Sequence, residues 1–178
     1  MRLGKIGYIG IGAAVLAALA LIFKNKTMEV FKGTSEQVFS FISKLESFYA
    51  KPYWDYSQWS VGYGSGFNWD THTPVTKDTV VDQATAKRWL LAEAAQNMAT
   101  INKYVKVPLN ANQRTALAAF VYNVGDGGFI GSSLLKKINA NAPRAEIEAA
   151  WKAWNKAGGV VNNGLVNRRA AEIKLYFS

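Results

Sequence analysis

Glu46 and Asp55 stand nine residues apart, with Phe48, Tyr49 and Tyr53 between them and an aromatic, glycine-rich stretch from Trp54 to Gly66 around and after them. Two carboxyl groups so placed could cleave a glycosidic bond. One must be protonated to donate to the leaving oxygen, and the other must steer water or shield the developing cation. The three aromatic residues would supply the apolar surroundings that such an acid needs. The pair by itself also reads as a helix-end charge followed by a turn cap.

Other chemistries are excluded more firmly. The chain has no cysteine, which removes disulfides, thiolate catalysis and cysteine-held zinc or iron–sulfur centres. It has one histidine, His72, too few for a histidine-rich metal site and out of sequence context for a Ser/His/Asp triad. No metal or cofactor is expected. The net charge of +9 favours a polyanionic partner, whether nucleic acid, anionic lipid or bacterial wall. A nucleic-acid motif, or a basic run with interleaved aromatics, is missing, so nucleic acid is not the expected partner.

The elements that would position the two carboxylates follow from pattern. Thr34 with Gln37 three residues later has the form of a capping box, and Val38, Phe41, Ile42 and Leu45 follow at helical spacing. This predicts a first helix ending near Glu46. Trp59, Val61 and Tyr63 alternate with Ser60, Gly62 and Gly64, the mark of a strand or hairpin. A long helix from Asp82 to about Val105 should bury Trp89, Leu90 and Ala94. Asn110 should cap a helix that carries Leu117, Phe120 and Val121 and stops at Gly125. Ser132 should cap a short helix over Leu134 to Ile138, Pro143 should start another ending at Gly158-Gly159, and Leu165 to Phe177 should form the last. The order of a helix, a small β-hairpin lobe and a helical bundle describes an α+β, mainly α, domain over residues 27–178.

Residues 1–26 read differently. Ile6 to Phe23 is 18 residues without a charge, bracketed by Arg2 and Lys5 before and Lys24 and Lys26 after. Such a helix would rise about 27 Å, close to a bilayer's hydrocarbon thickness of roughly 30 Å. No small-residue cleavage site follows the apolar run, so a retained transmembrane anchor is expected rather than a cleaved signal peptide. Eight of the 18 residues are Gly or Ala, which makes the span weakly hydrophobic.

Several ordered blocks place the chain beside a known family. Glu46, Asp55 and Trp59-Ser60-Val61-Gly62-Tyr63-Gly64 resemble the catalytic stretch of phage-type lysozymes, glycoside hydrolase family 24. Downstream, Asn112 to Leu117, Phe120 to Gly125, Gly128-Phe129, Trp154, Gly158-Gly159, Gly164 to Val166 and Arg168 to Glu172 are similar to the family's central helix and C-terminal part. The resemblance covers roughly Val38 to Phe177. It implies an inverting muramidase acting on bacterial peptidoglycan, with Glu46 as general acid and Asp55 positioning water. Ser60 would hold that water with its hydroxyl. Tyr63, Tyr122, Asn123, Gly125 and Phe129 would bind substrate. Two departures stand out. Asp55 to Ser60 is five steps where the family has six, so either the hairpin is one residue tighter or Asp55 is displaced. The strand ends Gly64-Ser65-Gly66 where the family has Gly-His.

Three classes of function stay open on sequence alone: a lysis or wall-penetrating muramidase, a lytic transglycosylase, and a virion protein that kept the fold without the chemistry. Asp55 favours hydrolysis, since a transglycosylase needs no water-directing carboxylate. The catalytic domain is expected to be monomeric. It would lie in the periplasm, held at the host inner membrane, or in the membrane of a virion. His72 reads as a loop residue, Asp126 as a turn residue, and Arg168, Arg169 and Glu172 as an ion-pair network. Trp89, Trp151 and Trp154 read as core, and Trp69 as the best candidate for stacking on sugar.

Overall fold

The computed structural model describes residues 35–178 except Tyr56; the expected anchor, Ile6 to Phe23, lies outside them. Helix α1 covers residues 35–45 and stops one residue short of Glu46. Strands β1 (Tyr49–Asp55) and β2 (Gln58–Gly62) form an antiparallel hairpin, and β3 (Phe67–Asn68) and β4 (Thr73–Pro74) form a second one. Five more helices follow: α2 (Gln83–Tyr104), α3 (Ala111–Ile130), α4 (Ser133–Asn139), α5 (Arg144–Lys152) and α6 (Asn163–Tyr176). The short hairpin β5 (Lys156–Ala157) and β6 (Val160–Val161) separates the last two. Among the described residues no helix is long and apolar enough to cross a membrane.

Helix starts follow local chemistry. The Asp82 carboxylate accepts from Thr85 N, Ser132 Oγ from Leu135 N, and Asn162 Oδ1 from Leu165 N. At α3, Asn110 and Gln113 cap each other reciprocally. Each cap satisfies one or two of the N–H groups that a helix start leaves without partners.

Helix α3 is the centre of the bundle. Thr115 to Val121 are all buried, so the helix is apolar on every side and must be surrounded. Phe120 meets Phe129, Trp151 and Trp154 edge-on, with ring centroids 5.5–6.3 Å apart. A second cluster of Val61, Val75, Val81, Ala86 and Trp89 lies between the hairpins and α2. Tyr63 packs against both clusters.

Two glycine expectations change. Gly125 does not end α3 but bends it: its φ of 75° and ψ of 162° break the helical ladder, and helix resumes to Ile130. Only glycine adopts that backbone cheaply. Gly158-Gly159 is a hairpin turn with φ of 57° and 81°, not a helix C-cap; α5 has already ended at Lys152. Two consecutive left-handed residues suit the twist of a two-residue hairpin turn, which sequence periodicity does not report.

Candidate active site

The end of α1 delivers Glu46, and β1 delivers Asp55 at its last residue. Both line one cavity of about 760 Å³, together with Asn123 and Val124 of α3, Trp154, and Leu165 and Arg168 of α6. Helix end, hairpin and bundle thus meet at two carboxylates.

The hairpin is tight. Asp55 pairs with Gln58, Trp54 with Trp59 and Tyr53 with Ser60, so only residues 56–57 join the strands. The five-step spacing from Asp55 to Ser60 is accommodated by this short turn, and Asp55 stays at the cavity. The register shifts between Tyr49 and Tyr53, a bulge in the strand that carries Asp55.

Glu46 is held by a buried cation. The Arg168 guanidinium donates through Nη1 to Glu46 Oε1; the side chains are 8% and 24% exposed. Arg168 also donates through Nε to Glu172 Oε1 at 3.1 Å and through Nη2 to the Ala119 carbonyl at 3.2 Å. Fixed at three points, the guanidinium orients the carboxylate it meets. On the other side, a Cβ built on Gly64 would lie 3.9 Å from both Glu46 Oε2 and the Tyr53 hydroxyl. Burial, followed by the negative charges of Asp55 and Glu46, raises the Tyr53 phenol above its ordinary value. Tyr53 therefore stays a neutral hydroxyl within reach of the charges of both carboxylates.

Behind Arg168 stands a fully buried network. Glu172 accepts from the Trp151 indole at 2.8 Å, from Arg168 and from Arg169 Nη2 at 3.0 Å. Arg169 also donates to Asn123 Oδ1 at 2.8 Å. That bond occupies the Asn123 carbonyl and leaves its amide N–H groups for the cavity, where Asn123 is exposed. Burial lowers Arg169 to about 10, with Arg168 adding to the lowering and Glu172 opposing it. The expected ion-pair network is present, but it reaches further than the spacing alone indicates, because Arg168 touches Glu46 and Arg169 touches Asn123. The i, i+4 pair Arg168–Glu172 was visible in sequence; its contact with a residue 122 positions earlier was not.

The other candidates lie elsewhere or deeper. Ser60 is completely buried, as is Val61 beside it, so the alternation expected along β2 is replaced by burial on both faces. The Ser60 hydroxyl has no protein partner. Tyr63 packs its ring against Phe39 and Phe48, and its carbonyl accepts from the Tyr122 hydroxyl at 3.0 Å. These two tyrosines tie the end of the hairpin to α3. Tyr122 and Gly125 line a separate cavity of about 720 Å³. Phe129 is fully buried against Phe120 and lines neither cavity, so it is not placed to touch a ligand. Among the described residues no group of acidic or histidine side chains is arranged to hold a metal ion.

The phage lysozyme family pattern matches residues 43–172, which spans both carboxylates, the bent α3 and the Arg168–Glu172 network. The chain belongs to the phage lysozyme family. It is 38% identical over 121 residues to the endolysin of Bacillus phage PZA, which covers 67% of this chain and 44% of that protein. It is 35% identical over 105 residues to the SAR-endolysin of Enterobacteria phage PA-2, covering 57% of this chain and 63% of that one. The chain thus spans less than two thirds of the length of either curated relative. Among solved structures it is similar to the endolysin of Escherichia coli O157:H7 phage FAHEc1, with a TM-score of 0.70 and 29% identity over 79% of this chain and 90% of that one. The α+β lysozyme-like fold of a phage lysozyme, with small hairpins and a helical bundle, is the fold of this chain.

Glu93 of α2 is an unexpected titrating group. It is half-buried, has Ser65 Oγ at 3.5 Å, and is pushed up to about 7 by burial and by the charges of Glu46 and Asp126. Its folded value lies above the ordinary 4.5, so its contribution to stability is fully present below about pH 4.5 and is lost as pH rises through about 7. Glu93→Gln should remove that dependence. Wild type should lose up to about 2–3 kcal/mol between pH 4.5 and 8 that the variant keeps. Denaturant unfolding at the two pH values measures the difference, and identical pH profiles would exclude Glu93 as the group.

Proposed function

We propose that this protein is a peptidoglycan-degrading lysozyme that hydrolyses β-1,4 bonds between N-acetylmuramic acid and N-acetylglucosamine, for lysis or wall penetration by a phage. One observation carries the reading: a chain of the phage lysozyme family brings Glu46 and Asp55 to a single cavity, with Glu46 oriented by a buried arginine. Glu46 donates its proton to the leaving oxygen as the bond lengthens. Asp55 draws a water onto the opposite face of the sugar and accepts its proton, which inverts the anomeric centre. The free amide of Asn123 suits an N-acetyl carbonyl. Ser60 is fully buried and outside the lining of that cavity, so a water-holding role for it rests on the family resemblance alone. The net charge of +9 concentrates the enzyme on an anionic wall.

Mass spectrometry of the muropeptides released from purified sacculi tests bond and mechanism together. Reducing muramic acid ends are expected; anhydro-muramic ends would make the protein a transglycosylase, and no release would leave only the fold. Asp55→Asn should lower kcat by about two orders of magnitude or more while KM changes little, as for an interaction made mainly in the transition state. A large rise in KM with kcat preserved would make Asp55 a binding residue instead.

The apolar segment Ile6 to Phe23 acts in this reading as a membrane anchor that holds the catalytic domain on the periplasmic side. Its 18 uncharged residues support that, as does similarity to proteins named SAR-endolysins. The full-length protein should fractionate with membranes, and a chain beginning at Lys24 should be soluble and active on isolated sacculi. Release of the full-length protein by a protonophore would mark an anchor that leaves the bilayer on depolarisation. A Lys24 chain that stays with membranes would overturn the anchor.

A further inference from the structure

The cavity of about 720 Å³ beside the bend of α3 includes neither Glu46 nor Asp55 among its lining residues. Its charge is the reverse of the chain's. The protein carries nine more positive than negative charges, yet this cavity is lined by the carboxylates of Glu93 and Asp126 and by no lysine or arginine. Among the described residues neither carboxylate makes an ion pair. Glu93 takes a hydrogen bond from the Ser65 hydroxyl at 3.5 Å, with the Trp69 indole near it and no cation beside it, and Asp126 Oδ1 is buried without a partner.

Two more features give the cavity a ligand shape. Phe67, Trp69 and Tyr122 supply aromatic walls, with Phe67 and Trp69 packed edge-on at 5.3 Å. Asn97, only 6% exposed, also lines the cavity, and its Nδ2 has no partner. Unpaired carboxylates in a half-dry cavity gain most from a cation, and aromatic faces hold an ammonium group through their negative centres. An unused amide donor needs an acceptor. The complementary group is therefore a primary ammonium with a hydrogen-bond acceptor oxygen close to it.

We propose that this cavity binds a primary ammonium group of the wall polymer, above all the free amino end of a diamino acid in the stem peptide. Glu93 and Asp126 hold the ammonium against the aromatic walls, and Asn97 donates to the carboxylate beside it. The source rests on the peptidoglycan reading above; the ammonium chemistry rests on the cavity alone. A glucosamine that has lost its acetyl group offers the same cation with only hydroxyl acceptors nearby, so the diamino acid, with its own carboxylate, satisfies Asn97 better. Binding a cation here also favours ionised Glu93, so affinity rises with pH through the range where that carboxyl titrates, near 7. The other groups facing it are Asp126, the Tyr122 hydroxyl, Glu46 and the ring of His72 on the cavity rim.

Calorimetric titration of the full-length protein in detergent at pH 8 tests this without using turnover. The probes are an alanyl-γ-glutamyl-diaminopimelate tripeptide and the same peptide acetylated on its side-chain amine, and glucosamine tetramer against N-acetylglucosamine tetramer. The free tripeptide should bind about tenfold more tightly than the acetylated one. Asp126→Asn should reduce that preference, and Glu93→Gln with Asp126→Asn should abolish it. Asp126 lies beside the bend of α3 and carries the test if the double variant fails to fold. A preference shown only within the sugar pair would keep the site and replace the diamino acid as its ligand. Equal binding within both pairs overturns the proposal. Failure to cleave any glycan would instead sink the hydrolase reading, since these titrations would still report on the cavity.

Discussion

Glu46→Gln is expected to reduce turnover on purified peptidoglycan by about 10²- to 10⁴-fold, the usual contribution of a positioned general acid. Glutamine keeps the length and the acceptor that Arg168 contacts at Glu46 Oε1, so the fold and the packing of Arg168 should survive. What disappears is the proton that must reach the leaving oxygen. Helix α1 ends at residue 45, so Glu46 sits just past the helix and carries little of its stability. Thermal unfolding within a few degrees of wild type, with turnover collapsed, is the expected pair of results. Retention of more than a tenth of wild-type turnover would remove Glu46 from the mechanism, whatever its position in the cavity.

How much of this was legible in sequence depends on the range of the interaction. Helix starts were readable because a cap and its N–H partner lie three residues apart, as Asp82 and Thr85 or Asn110 and Gln113 do. Trp89, Leu90 and Ala94 fell on the inner face of α2, as helical period requires. Glycine was less informative, because it marks a left-handed residue without saying whether a helix stops, bends or gives way to a hairpin. Gly125 therefore bends a helix, and Gly158-Gly159 turn a hairpin, where spacing alone predicts helix ends. A family-like block marks Phe129 as a substrate contact, but burial belongs to the tertiary structure, which seals it in the core. The Arg168–Glu46 contact and the isolation of Glu93 were illegible altogether, since each depends on elements brought together across the fold.

Glu172→Leu is expected to destabilise the protein by about 3–5 kcal/mol, the cost of removing one partner from a buried charge network. Glu172 is fully buried and accepts from Trp151, Arg168 and Arg169, so leucine would leave one indole N–H and two guanidinium groups without their shared acceptor. Burial raises the Glu172 carboxyl above its ordinary range, with the two arginines opposing that rise. Glutamine is the milder change. It keeps an acceptor oxygen for one arginine or the indole but removes the charge, so Glu172→Gln should fall between leucine and wild type. The consequence for function is separable from the fold. Arg168 is fixed by Glu172 on one side and meets Glu46 on the other, and Arg169 links Glu172 to Asn123. Loss of Glu172 therefore loosens both the acid and a cavity amide that it never touches. At a temperature where Glu172→Gln remains folded, kcat should fall several-fold while Glu46 is unaltered, and the effect should be far from additive with Arg168→Lys because both act through one network. Denaturant unfolding measures the first part and a double-mutant cycle on turnover measures the second. Full activity in a folded Glu172→Gln protein, with additive effects in the cycle, would show that the network supports the bundle without setting the geometry of the acid.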